Sequence, residues 1–405
     1  MPALAESVAD LARTAGVRAC LDWFRKERGW INEQHLKLCR IAAPTFFEQR
    51  RAEWMAERFR GLGWEAKLDR AGNVIASLPG RRDSAAVAVT AHLDTVLAPR
   101  SPEEVRVVSD GKLLGPGVSD NGAGLAALLA LAAAWSAGPP VQDSGLSPVL
   151  VANVGEEGEG NLCGMRYLCR PSASNRFRAF LVLDGPNTDH ITCQALASRR
   201  YDVTIAGPGG HSWSDHGTGN PVHALSRAIA RFLENAPADE PRCSYNFGVI
   251  EGGTSINAIP SEARAKVDLR SENPERIEQM AALLSGCVER GVEDENSRVD
   301  VNKGAGKVTA RVKEIGSRPG GSLPHGAAIL EYLLAVDAFL GIRSSLDCSS
   351  TDANLPLSLG LPAVSIGAGG QGGGAHTMGE WFQPDGRELG LRRVLLSLCL
   401  LLGGS

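Results

Sequence analysis

Four short apolar runs in this chain break off into acids, or into glycines that lead to a histidine. "AAVAVTA" (85–91) runs into His92 and Asp94, and "PVLVANV" (148–154) runs into Glu156 and Glu157. "FLVL" (180–183) ends on Asp184, and "PAVSI" (362–366) opens a glycine-rich stretch that reaches His376. A continuous apolar run of this length is what a strand buried on both faces of a parallel sheet requires. Such a strand leaves its chemistry to the residues just past its carboxyl end, where ligands collect in open α/β sheets. The small-residue helix expected at 122–137 fits between the first two runs, so strands and helices alternate and the class read is α/β with a mostly parallel sheet.

The pattern changes near residue 196. "RRYDVTIA", "CSYNFGVI", "ARAKVDLR" and "SRVDVN" read as strands, and "GNPVHALSRAIARFLENA" and "PERIEQMAALLSGCVERGV" as helices. The first of these helices opens with Asn220 as N-cap and Pro221 at the first helical position. The order β-α-β-β-α-β is that of a ferredoxin-like α+β unit. A helix at about 322–340 and the strand at 362–366 then restore the first pattern. A chain of 405 residues is long for one domain. The expected organisation is a first catalytic part at 1–195, an inserted domain at 196–309 and a second catalytic part at 310–405.

Composition excludes several partners. With 43% hydrophobic and 22% charged residues the chain is globular in type, and its net charge of −4 offers no basic field for nucleic acid. The longest apolar runs, "GLAALLALAAAW" and "VLLSLCLLL", are too short to span a bilayer, so no membrane role is expected. The N-terminus reads as a helix rather than a targeting signal. Nine scattered cysteines, odd in number and without a CxxC pair, point to reduced thiols and a cytoplasmic setting.

Five places thus carry residues of metal-ligand type: His92 with Asp94, Asp120 in "GPGVSDNGAG", Glu156 with Glu157, Asp184, and His376. Each alone has an ordinary reading: a structural hydrogen bond for His92 and Asp94, a helix N-cap for Asp120, a solvated turn for the acids of "VGEEGEG". Together, two imidazoles and three carboxylates suit a pair of divalent ions, with one carboxylate shared between them. The glycine stretch "GAGGQGGGAH" contains GxGxxG, but no helix follows it, which argues against a dinucleotide site and for a close backbone approach beside His376.

The motifs "HLDTV", "SDNGAG", "VGEEGEG", "LDG", "GPGGHS", "GGTSINAIP", "DLRS" and "GGGAH" resemble, in this order, those of the co-catalytic di-zinc peptidases. That family includes peptidase T, carnosine dipeptidase, glutamate carboxypeptidase, aminoacylase and succinyl-diaminopimelate desuccinylase. The resemblance covers about residues 85–380 and implies a zinc-exopeptidase catalytic domain interrupted by a lid or dimerisation domain. It implies that His92, Asp120 and Asp184 hold metal, with Asp120 bridging, and that Glu157 and His376 complete the second ion's ligands. Asp94 would then orient His92, Glu156 would be the general base, and His211 would donate to the oxyanion. Asn257 and Arg270 match positions that bind the substrate's backbone or carboxylate, while an ion pair inside the lid is the plainer reading of Arg270.

The resemblance also implies two divalent ions per chain, zinc foremost with cobalt or manganese as alternatives, and a homodimer formed through the inserted domain. The expected reaction is hydrolysis of an amide bond in a short peptide or an N-acyl amino acid. In the family it resembles, aspartate at the fourth ligand position goes with aminopeptidases and dipeptidases and glutamate with carboxypeptidases and deacylases, so the resemblance, with Asp184 there, implies the aminopeptidase side. A peptide-binding protein without activity is the third possibility, and it would be expected to lack Glu156 or a ligand. Many relatives have an acid and then Lys after the bridging aspartate, where this chain has Asn121 and Gly122. The roles of Asn121 and of Glu380 are left open by the sequence.

Overall fold

The computed structural model describes residues 2–140, 145–171, 176–236, 242–300 and 306–403. The chain divides into two compact units, Met1–Ala195 with Gly321–Ser405, and Leu196–Gly320. In chain order the first unit holds helices α1 (Pro2–Arg13), α2 (Ala15–Lys26), α3 (Arg28–Cys39) and α4 (Gln49–Gly61), then strands β1 (Glu65–Leu68), β2 (Val74–Ser77) and β3 (Ala86–His92). Helix α5 (Gly122–Ala137), β4 (Ser147–Asn153), α6 (Cys163–Leu168), β5 (Phe177–Leu183) and β6 (His190–Ala195) complete its first part. The second unit contains β7 (Ala197–Ala206), α7 (Pro221–Asn235), β8 (Cys243–Gly252), β9 (Glu262–Ser271), α8 (Pro274–Asn296) and β10 (Thr309–Arg318). The chain then returns through β11 (Gly321–Ser322), α9 (Ala328–Leu340), β12 (Ser345–Ser349), β13 (Ala363–Ile366) and α10 (Arg387–Gly403).

The large sheet of the first unit runs β1-β2-β4-β3-β5-β13-β6-β11, with β12 parallel to β6. Its centre, β4-β3-β5-β13, is parallel throughout. Every residue of β3 and β4 is buried, which is why both read as unbroken apolar runs. Register sets up the chemistry. His92 lies beside Asn153 and Leu183 beside Ile366, so the four central strands end on one edge of the sheet. Helix α5 covers the sheet and is buried on nearly all sides, packing on α2, α3 and β3. Its Leu125, Leu128, Leu129 and Leu131 are fully buried, and each contributes about 1.5–3 kcal/mol relative to exposure. Truncating Leu129 to Ala would leave a cavity costing about 2–5 kcal/mol.

In the second unit the sheet order β8-β9-β7-β10 is antiparallel, and α7 and α8 share one core with it. Both helices begin Asn-Pro. Asn220 Oδ1 accepts from the N–H groups of Val222 and His223, and Asn273 Oδ1 from those of Glu275 and Arg276.

Three expectations are corrected here. The last strand of the inserted unit is β10, paired with β7, so the unit extends to Gly320 rather than 309. Strand β10 has a single buried residue, Arg318, and so no buried apolar face, which hid it in the sequence. The strand expected at "SRVDVN" is irregular through residue 300, and its last two residues lie outside the described residues. The helix expected from 322 starts at Ala328, because Gly321 and Ser322 pair with β6.

Candidate metal centre

His92 is the last residue of β3, and Asp184 directly follows β5. Glu156 and Glu157 stand three and four residues beyond β4, and Asp120 precedes the N-cap of α5. The backbone reverses at Gly155, at φ +64°, where a Cβ would stand 2.3 Å from Cys163 Sγ, so only glycine fits this turn. His376 is itself at φ +63°, a strained conformation for a side-chain-bearing residue and one that collects at functional sites.

Asp120 is the centre of the arrangement. Its Oδ1 lies 3.1 Å from His92 Nε2 and its Oδ2 lies 3.1 Å from His376 Nε2. His376 Nε2 is also 2.9 Å from Glu157 Oε1, and His92 Nε2 is 3.9 Å from Asp184 Oδ1. Donor atoms of His92, Asp120 and Asp184 lie within 4.8 Å of one another, and so do those of Asp120, Glu157 and His376. A third such group joins His92 to Glu156 and Glu157.

The electrostatics fit a cation. Burial, and then the charge of Asp120, push the Asp184 carboxyl up to about 7. Burial likewise raises Glu157. Burial works against the charge of Asp120, but hydrogen bonds from His376 and His92 hold its carboxyl well below the usual range. Burial also disfavours the His92 imidazolium, yet Asp120 and Asp94 outweigh it and keep its pKa well above the ordinary value. Hydrogen bonding to Asp120 raises His376 to about 9. Acids crowded this closely need positive charge, and protons on the two imidazoles or divalent ions can supply it at the same oxygens.

Surrounding residues hold this set. Asp94 was expected to accept from His92. Its backbone carbonyl lies 3.0 Å from His92 Nδ1, while its carboxylate oxygen lies 3.5 Å away. The carboxylate instead accepts the N–H of Glu156 at 3.0 Å, the N–H of Glu157 at 2.8 Å and the Thr45 hydroxyl at 3.0 Å. Asp94 therefore aims both acids as well as the imidazole. Glu48 accepts the Gly155 N–H at 3.1 Å on the same turn. Glu380 is buried and accepts the N–H groups of Gly117, Ser119 and Asp120 at 2.6–2.7 Å. Asn121 caps α5 by accepting from Gly124, and donates to the Leu183 carbonyl at 2.7 Å, one residue before Asp184.

The glycine stretch serves packing within the protein. A Cβ at Gly372 would stand 2.7 Å from Ser119 Cβ, and one at Gly367 would stand 1.8 Å from the Asn187 carbonyl oxygen. His35 is fully buried.

The other three expected site residues belong to the second unit. His211 is exposed, and its Nδ1 accepts from the N–H groups of Trp213 and Ser214 at 3.2 and 3.4 Å. The adjacent short strand pairs His211 with Ala258, next to Asn257, whose Oδ1 accepts from Ser255 at 2.7 Å. Arg270 makes an ion pair with Asp268 at 2.7 Å, as its plainer reading expected.

A parallel sheet presenting imidazoles and carboxylates at one edge defines a metal-dependent hydrolase class. Residues 73–204 match peptidase family M28, and residues 197–294 match the peptidase dimerisation domain of the M20 type. The chain is 25% identical to the uncharacterised protein YqjE of Bacillus subtilis, over 83% of this chain and 89% of that one. It is also 25% identical to a succinyl-diaminopimelate desuccinylase of Granulibacter bethesdensis, over 73% of this chain and 78% of the relative. The fold is shared with aminopeptidase PepT of Bacillus cereus (TM-score 0.72, 20% identity, 93% and 98% coverage). It is shared equally with the dipeptidase Dug1p of Saccharomyces cerevisiae (TM-score 0.72, 14% identity, 97% and 100% coverage). The resemblance carried by the motifs agrees with these matches, a peptidase family over residues 73–204 and an M20-type dimerisation domain in the second unit, and together they support a metallopeptidase enzyme.

Proposed function

We propose that the chain is a two-metal exopeptidase that releases residues from the amino end of short peptides. One observation carries this reading: Asp120 turns its two oxygens to two different histidines, each with a further carboxylate nearby. His92, Asp120 and Asp184 would hold one divalent ion, and Asp120, Glu157 and His376 the other. The imidazole and carboxylate set suits zinc, with cobalt or manganese as alternatives. Bound there, the two ions supply an acidified water and positive charge for the developing oxyanion.

Glu156 sits beside Glu157 with its backbone fixed by Asp94, and it takes the proton from the attacking water and returns it to the leaving amine. His211, with Nδ1 occupied as an acceptor, presents Nε2–H as a donor suited to the oxyanion. Asn257 and Arg270 contact the peptide backbone or its carboxylate, Arg270 through the guanidinium nitrogens that Asp268 leaves available. The M20-type dimerisation domain supports a homodimer. No helix among the described residues is long and apolar enough to cross a membrane.

The identity to a desuccinylase supports a second reading, hydrolysis of N-acyl amino acids. A hydrolysis screen with zinc, cobalt and manganese decides between them. Di- and tripeptides with free amino ends should be cleaved faster than N-acetyl or N-succinyl amino acids, with two ions bound per chain. Faster cleavage of the acylated compounds would select the deacylase, and fewer than one bound ion with no activity would sink both.

A further inference from the structure

Among the described residues the first unit buries three arginines, and two of them have their charge met. Arg393 pairs with Asp337 through two contacts of 2.6 Å. Arg51 donates to the carbonyls of Ile41 and Leu93 and lies in the field of Asp94 and Glu48. Arg387, only 6% exposed, is different. Its Nη1 donates to Asn32 Oδ1 at 2.8 Å, its Nη2 donates to His35 Nδ1 at 2.5 Å, and its guanidinium lies 4.4 Å over the Phe382 ring.

None of these partners is an anion. His35 is neutral, because burial and then Arg387 itself hold its pKa well below the ordinary value. Its Nε2–H donates to the Val118 carbonyl at 2.7 Å, which leaves Nδ1 as the acceptor for Arg387. Burial lowers the Arg387 guanidinium to about 9, still protonated at neutral pH. A buried cation with no counter-charge is costly, and buried charges are ordinarily paired.

Arg387 lines a cavity of about 350 Å³ together with Arg28, Asn32, Glu388 and Arg392. This volume falls at the lower end of the range for small-molecule sites. Glu388 is held by Arg28 at 2.6 Å, and Asp385 on the rim accepts from Gln383 at 2.9 Å. The buried Nε of Arg392 has no hydrogen-bond partner. Arg387 is also the first residue of the 17-residue helix α10, whose amino end favours negative charge.

We propose that this cavity binds a small oxyanion, the carboxylate or phosphoryl group of a low-molecular-weight ligand, with Arg387 as its counter-charge. Two of the five guanidinium N–H groups serve Asn32 and His35, and the fork geometry of the remainder matches a carboxylate or phosphate. Through His35 and the Val118 carbonyl, the cavity is joined to the loop that carries Asp120. The site goes beyond the peptidase reading and does not depend on it.

The test is thermal unfolding with inorganic phosphate or with succinate, against chloride at equal ionic strength, of the metal-loaded wild type and of variants prepared in the same way, Glu157→Gln among them with its lower metal content. Millimolar anion should raise the Tm of the wild type and of Glu157→Gln by several degrees, and leave Arg387→Met unchanged. Retention of the shift in Glu157→Gln separates this site from the metals. Asn32→Asp places a carboxylate where Asn32 Oδ1 now accepts from Arg387, so it should raise the Tm without anion and abolish the further rise with it. That variant decides the matter if Arg387→Met fails to fold. A rise with phosphate alone assigns a phosphoryl ligand, and a rise with succinate assigns a carboxylate. No rise in the wild type with either anion, or the same rise in all four proteins, would overturn the proposal.

Discussion

Glu380 Oε1 accepts the backbone N–H of Asp120 at 2.7 Å. The same carboxylate takes the N–H groups of Ser119 and Gly117, so it fixes the backbone from which the shared aspartate reaches both histidines. Glutamine at 380 keeps one acceptor oxygen but turns an NH2 group toward at least one of these donors. Glu380→Gln should weaken metal binding about 10- to 100-fold, the usual cost of disturbing a residue that orients a ligand. Titration against a chromophoric chelator reads this directly, and an unchanged affinity would show that the three bonds do not position Asp120.

Asp94 makes a second prediction of the same kind. Its carboxylate receives the N–H groups of Glu156 and Glu157, so one side chain sets the directions of both acids. In Asp94→Asn one oxygen becomes an NH2 facing an amide N–H, in a fully buried position. Metal affinity and kcat/KM should both fall, each about 10-fold or more. A loss confined to kcat/KM would mean that His92 and Glu157 keep their places without this carboxylate.

The fold's core and the side chains that gather at the sheet edge were legible because parallel strands buried on both faces read as apolar runs, and their carboxyl ends then stand out. What escaped has physical causes. Glu380 acts on amides about 260 residues away in the chain, and accepting backbone N–H groups leaves no local pattern. Strands β10 and β12 lie at sheet margins with at most one buried residue each, so neither carries the alternation of a half-buried strand. His35 falls at helical spacing from the buried Ile31, Leu38 and Cys39, but its partners Arg387 and the Val118 carbonyl lie far along the chain and leave no local signal.

Asn121 stands where many relatives carry an acid, and the structure gives it two bonds. Removing both in Asn121→Ala loses the cap of α5 and leaves the Leu183 carbonyl without its donor, at about 1 kcal/mol for the cap and about 1–3 kcal/mol for the buried acceptor. The expected loss is about 2–4 kcal/mol in urea unfolding. Asn121→Asp keeps the cap but sets a carboxylate against the Leu183 carbonyl, so it should also be destabilised, although it restores an acid at this position. Equal stability of Asn121→Asp and the wild type would contradict this account.

His35 gives the pH dependence. Its folded-state pKa lies well below the unfolded value of about 6.5, through burial first and then Arg387. As pH falls through that unfolded value, the unfolded chain takes up a proton that the folded protein refuses, so the contribution of neutral His35 is present above it and is lost below it. The free energy of unfolding should therefore decline from pH 7 to pH 5 more steeply in the wild type than in His35→Gln, which has no proton to gain. Taking the difference between the two proteins removes the titrations they share, including that of Asp184. Parallel curves would show that His35 takes up its proton in the fold as readily as in the unfolded chain.

Glu156 and Glu157 are adjacent acids with separate assignments. Glu157 Oε1 lies 2.9 Å from His376 Nε2 in the group that includes Asp120. Glu156 shares a donor cluster with His92 and Glu157 but is not in that group. If Glu156 moves the proton, Glu156→Gln should bind metal and unfold as the wild type does, while kcat/KM falls about 100- to 10,000-fold. Glu157→Gln removes a carboxylate charge proposed to hold an ion, so its metal content should drop before its activity is even measured. High metal concentration should partly rescue Glu157→Gln and leave Glu156→Gln unchanged. If the two variants lose activity alike and mildly, or if metal rescues both, neither glutamate has the role proposed for it.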